Sequence, residues 1–165
     1  MNYTIREIKE TEYALLDDFL YEAIFIPKGM EPPPKSIIDT PELQVYISGF
    51  GKQKDDRALV AEVDGEIVGA VWVRIMNDYG HVDDETPSFA ISLYKEFRGQ
   101  GIGTALLIRM LDVLRENGYK RASLAVQKAN YAVNMYRKAG FQIVDENPEE
   151  YIMVKSFNEG LILIS

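Results

Sequence analysis

The sequence predicts an α/β domain of the α+β kind: one mixed, mostly antiparallel central sheet flanked by helices. Two apolar runs of strand length, ALVAEV and EIVGAVWVRI, are joined by Asp64-Gly65, the dipeptide a two-residue type I′ hairpin turn prefers. A third run, FAISLY, leads straight into a glycine-rich turn. From Ile102 onward Leu106, Leu107, Met110, Leu111 and Leu114 recur at helical spacing, and Asn117-Gly118 supplies the stop.

The remaining elements follow from the same two periodicities. TIREIKE, with Ile5 and Ile8 set among charges, suits a short first strand. A helix is predicted from about Thr11, its cap, to Ile24, with Ala14, Leu15, Phe19 and Ala23 near one face. Pro27, Gly29, Pro32, Pro33, Pro34 and Pro41 then exclude continuous helix or central strand, so this stretch is a surface loop or cover. Leu43, Val45, Tyr46 and Ile47 permit a second short helix, closed by Gly49 and Gly51. After the main helix, RASLAV reads as a strand, Asn130 to Ala139 as a helix ended by Gly140, and FQIV and YIMVKSF as closing strands. No repeat or linker divides the chain, so residues 1–165 are expected to form one domain.

Composition excludes several functions. The sequence has no cysteine and one histidine, His81, which removes thiolate chemistry and leaves no metal site expected. A net charge of -8 repels phosphate backbones, so no nucleic acid partner is expected, and a cationic small substrate or basic peptide fits the field better. No run approaches the roughly 18 apolar residues of a membrane span, and MNYTIREIKE lacks the apolar core of a secretory signal. The expectation is a cytoplasmic protein without a membrane partner.

The segment that carries chemistry is FAISLYKEFRGQGIGTALL. A helix start leaves backbone N–H groups unpaired and carries partial positive charge, which suits an anion when nothing blocks approach. Gly99, Gly101 and Gly103 remove the block, and Arg98 adds a fork that matches phosphate. The bland reading of the same residues is a tight strand-to-helix turn. A Walker loop would need Gly-Lys-Ser/Thr at its end, and a dinucleotide fingerprint would need G-x-G-x-x-G; neither is present.

Arg98, Gly101 and Gly103 match the Arg/Gln-x-x-Gly-x-Gly/Ala motif, and here the chain resembles the GCN5-related N-acetyltransferase (GNAT) superfamily. NYAVNMYRKAGF resembles that family's second block, with Asn130, Tyr136, Gly140 and Phe141 at matching offsets. The resemblance covers the coenzyme-binding core, about residues 58–156, and reaches the first 50 residues only as an order of strand, helix, helix. Lys95 departs from it, standing where many members place a proline.

What the resemblance implies is an acetyl-CoA-dependent N-acetyltransferase of acyl-CoA N-acyltransferase fold, with acetyl-CoA as co-substrate. Its strand at Ile91 to Leu93 would bulge and splay from RASLAV, leaving a wedge for the pantetheine arm. The main chain of Ile91 and Leu93 would bind that arm, with the N–H near Leu93 facing the thioester oxygen. The loop Arg98, Gly99, Gln100, Gly101, Ile102, Gly103 and Thr104 would hold the pyrophosphate. Asn130 would contact the coenzyme, serve as a plain N-cap, or do both. Tyr136 would protonate the departing thiolate; its other reading is a core tyrosine sharing a helix face with Ala132, Val133 and Ala139.

The acceptor is expected to be a primary amine of a small molecule, attacking directly in a ternary complex. A protein N-terminal or lysine acetyltransferase and a catalytically silent acyl-CoA-binding module are the alternatives. Pro27 to Pro41 bears on the choice: folded over the site it favours small substrates, lying away it favours peptides. The base stays unassigned among His81, Asp83, Asp84, Glu85 and Glu22, the first four of which also read as a solvated loop. An exposed tail at Leu161 to Ile164 would be an association site, so a homodimer is one expectation.

Overall fold

In the computed structural model, which describes residues 2–157, the chain begins with β1 (Thr4–Glu7), α1 (Leu15–Ala23) and the short α2 (Pro41–Gln44). The hairpin β2 (Arg57–Val63) and β3 (Glu66–Arg74) follows, then β4 (Ser88–Leu93) and α3 (Ile102–Glu116). The chain continues through β5 (Arg121–Gln127), α4 (Ala132–Lys138), β6 (Gln142–Glu146) and β7 (Glu150–Ser156). Asp64 and Gly65 turn the hairpin at positive φ, 51° and 82°, as a type I′ turn requires. The apolar tail Leu161 to Ile164 lies outside the described residues.

The strands form one seven-stranded sheet in the order β1-β2-β3-β4-β5-β7-β6. Every neighbouring pair is antiparallel except β4 and β5, which run parallel. Alternation along the strands sends side chains to two cores. On one face Val71, Val73, Phe89 and Leu124 pack with Leu106, Leu107, Met110 and Leu114 of α3, and with Val133 and Tyr136 of α4. On the other face Val60, Ala70 and Trp72 pack with Leu16, Phe19 and Leu20 of α1 and with Ile38.

Two starts differ from the sequence expectation, each for a local reason. Thr11 does not cap α1; Glu10–Glu12 form a 3₁₀ turn and the α-helix begins at Leu15. The Glu12 carboxylate accepts the Lys9 N–H at 2.8 Å and pairs with Arg6 at 2.7 Å, which holds that first turn apart from the helix. The helix expected from Asn130 begins at Ala132, because the Asn130 side chain accepts the Ala132 N–H at 2.9 Å.

The proline-rich stretch folds back onto α1. Tyr21 donates its hydroxyl to the Pro33 carbonyl at 2.5 Å, Lys35 pairs with Asp18, and Ile38 is buried in the α1 core. The same face is tied to the sheet by Trp72 Nε1, which donates to the Tyr46 carbonyl at 3.0 Å.

Candidate functional site

β4 and β5 share a register only at Ser88 and Ser123, although β4 continues to Leu93 and β5 to Gln127. Beyond that rung the two strands part. On its other edge β4 stays paired with β3 without interruption, from Ser88 opposite Arg74 to Leu93 opposite Gly69. The splay expected from the sequence is therefore present, but the bulge expected with it is not: the ladder runs straight, and the strand leaves β5 by divergence alone.

The alternation of that ladder decides which groups face the gap. Tyr94 donates its N–H to Val68 at 2.9 Å, which sets the even-numbered residues of β4 toward β3. The main-chain groups of Ile91 and Leu93 therefore turn the opposite way, toward the missing neighbour. Gly69 is the residue that permits this seating, since a Cβ there would lie 2.1 Å from Leu93 Cδ2.

After β4, Lys95–Phe97 form one 3₁₀ turn, a conformation that needs no proline at Lys95. Arg98 donates its N–H to Lys95 O at 3.3 Å, and the next paired amide is Ala105, bonded to Gly101 O at 3.1 Å. Between them, the amides from Gly99 to Thr104 meet no acceptor among the described residues. Gly101 is the N-cap of α3 at φ 89°, a left-handed conformation that side chains resist, and the space above its Cα is open. Gly99, Gln100, Gly101 and Thr104 are exposed, while Ile102 is buried beneath and anchors the turn. Exposed, unpaired amides at the positive end of a fifteen-residue helix can hydrogen-bond the oxygens of a diphosphate.

The Arg98 side chain does not join that cradle. Its Nε donates to Leu93 O at 3.1 Å, and its Nη2 donates to both Glu22 O and Glu22 Oε1 at 3.2 Å. Glu22, one of the sequence candidates for a base, is thereby engaged with a cation at the end of α1.

Tyr136 and Asn130 both lie on the α4 side of the sheet. Tyr136 is buried in the α3–α4 core, edge-on to Phe141 with ring centroids 5.8 Å apart. Burial pushes its phenol well above the ordinary value, so the hydroxyl keeps its proton, and no hydrogen bond engages it among the described residues. Asn130 spends Oδ1 on the cap of α4, and its amide nitrogen meets no partner among the described residues.

The acidic segment before β4 is not at the open end of the gap. Asp83 pairs with Arg121 at the start of β5, and His81 Nε2 lies 3.4 Å from Asp84. Sequence reading passed over Asp78, which is more sheltered than Asp83. It accepts hydroxyl hydrogen bonds from Tyr46 at 3.1 Å and Ser88 at 3.3 Å, so it stands beside the rung where β4 and β5 part. Burial raises its pKa, against the hydrogen bonds that favour the charged form. Its signal was absent from sequence because Tyr46 and Ser88 reach it only in the folded chain.

A mixed sheet that opens between two parallel strands, next to a run of unpaired amides at a helix start, is the architecture of acyl-CoA N-acyltransferases. The sequence profile described as "Acetyltransferase (GNAT) family" matches residues 20–141, and the chain belongs to that family. It is similar to an acetyltransferase of Pectobacterium atrosepticum, 39% identical over 92 residues, covering 54% of this chain and 60% of that one. The chain thus spans about three fifths of that relative's length. Among solved structures, the PaiA N-acetyltransferase of Thermoplasma acidophilum in complex with coenzyme A superposes with a TM-score of 0.70 at 20% identity, over 95% of this chain and 100% of that one. YncA, a putative acetyltransferase of Salmonella typhimurium with acetyl-CoA, gives 0.69 at 17% identity, over 96% of each chain.

Proposed function

We propose that the protein transfers the acetyl group of acetyl-CoA to a primary amine of a small molecule, by direct attack in a ternary complex. The observation that carries this reading is the run of unpaired amides from Gly99 to Thr104 beside the parted strands β4 and β5. The two solved neighbours named above hold coenzyme A and acetyl-CoA, which supports the donor.

The donor's pyrophosphate rests on the loop from Arg98 through Gly99, Gln100, Gly101, Ile102 and Gly103 to Thr104. Its pantetheine arm lies along the free edge of β4, where Ile91 and Leu93 supply the main-chain partners a strand would otherwise take. The N–H near Leu93 polarises the thioester carbonyl as negative charge develops on its oxygen. A neutral amine nitrogen forms the new C–N bond and the C–S bond breaks; Tyr136 gives its proton to the departing thiolate, while the proton shed by the nitrogen passes to solvent, from which the phenol is reprotonated. Asn130 completes the donor site through its amide nitrogen.

The folded-back segment from Pro27 to Pro41 covers part of the α1 face, which supports a bounded acceptor site and hence a small amine over an extended peptide. Calorimetry with acetyl-CoA, followed by an amine and peptide panel monitored for released thiol, tests the reading. Heat on adding acetyl-CoA and thiol release with small amines are expected. No heat removes the coenzyme site; heat without thiol release from any acceptor leaves a silent binding module.

A further inference from the structure

The family motif invites the assignment of its leading arginine to phosphate, yet the contacts of Arg98 lie elsewhere. The Glu22 carbonyl belongs to the last turn of α1, whose final carbonyls have no partner within the helix. Arg98 caps it, and pairs with the carboxylate of the same residue. The third bond, to Leu93 O, covers the carbonyl that ends β4 on the side of the gap. Left bare, that oxygen would present negative charge next to the amides that are to receive an anion. α1 grips β4 at a second point, where Ser92 Oγ donates to Phe19 O at 2.6 Å. Together these bonds fasten the strand to α1 on one side while its edge toward β5 stays free.

We propose that Arg98 is a positioning residue: its side chain caps α1, closes the end of β4 and holds the gap open, and makes no contact with the diphosphate. The proposal rests on the coenzyme reading above. It has a consequence of definite sign. If Glu22 held Arg98 back from the phosphates, neutralising Glu22 would tighten coenzyme binding; as the partner in a strut, neutralising it weakens binding.

The test is the dissociation constant of acetyl-CoA at low and high salt, measured for the wild type, Glu22→Gln, Arg98→Gln and Arg98→Lys, which keeps the charge but cannot span all three acceptors. Weakening of about threefold is expected for Glu22→Gln and about tenfold for Arg98→Gln, with Arg98→Lys recovering little of the loss. Arg98→Lys should weaken binding equally at low and high salt, since no charge is lost. Unchanged or tighter binding in Glu22→Gln overturns the proposal, and so does wild-type affinity in Arg98→Lys. If Arg98→Gln fails to fold, Glu22→Gln decides alone. A wild type that does not bind acetyl-CoA at either salt removes the coenzyme reading, and this proposal with it.

Discussion

Ser88 Oγ and Ser123 Oγ lie 3.1 Å apart on the parallel rung that joins β4 to β5, both fully buried. Ser123 Oγ also donates to the Gly80 carbonyl at 2.8 Å, and Ser88 Oγ to Asp78. This hydroxyl pair is the point at which the sheet changes from closed to open. Ser123→Ala leaves the Gly80 carbonyl without its donor and is expected to cost about 1–2 kcal/mol in denaturant unfolding. An unchanged midpoint would show that the pair carries no stability.

Gly101→Ala forces a Cβ into the left-handed region without any collision, so the backbone term stands alone. The substitution is expected to destabilise the protein by about 1 kcal/mol and to weaken acetyl-CoA binding as the N-terminal amides of α3 shift. Thermal unfolding and calorimetry read the two effects separately. Full stability together with wild-type binding would remove the need for this backbone conformation.

The cap made by Asn130 and the coenzyme contact proposed for it are separable by chemistry. Asn130→Asp keeps an oxygen for the Ala132 N–H but loses the amide donor, whereas Asn130→Ala loses both. The alanine variant is expected to lose about 1 kcal/mol of stability. The aspartate variant is expected to keep stability and bind acetyl-CoA more weakly, and equal affinity for it would leave Asn130 a cap only.

For Tyr136→Phe, turnover should fall by about 10²–10⁴ while acetyl-CoA affinity holds. Stability should hold too, since the hydroxyl has no bond to lose among the described residues. The raised phenol pKa means that stability is full below the unfolded value of about 10 and declines as pH rises above it. Steady-state kinetics and unfolding at alkaline pH check these outcomes, and unchanged turnover removes Tyr136 from the chemistry.

Asp78 fixes a further sign. Its folded pKa is raised above the unfolded value of about 4, so its stabilising contribution is present below that value and is lost as pH rises through the folded one. Urea unfolding of Asp78→Asn against the wild type should show the variant gaining relative stability from acid toward neutral pH. A difference that is flat with pH contradicts the assigned direction.

Much of the fold was legible because it depends on local pattern. Asp64-Gly65 marks its hairpin by turn chemistry, and the leucines of α3 mark their helix by period. The loop was legible for the same reason: glycines before a helix leave amides bare whatever surrounds them. The α1 start was misread because Arg6 and Glu12, in different elements, override the capping preference of Thr11.

By itself, then, the sequence determined the order of elements and the glycine turn that opens α3, both consequences of neighbours within a few residues. Tertiary structure alone decided that β4 leaves β5 after one rung, that Arg98 turns to Glu22, and that Asp78 lies beneath Tyr46 and Ser88. Glu22 and Arg98 are separated by 76 positions in the chain. Ion pairs and hydrogen bonds act over a few ångströms of space, and only folding brings such distant residues within that range.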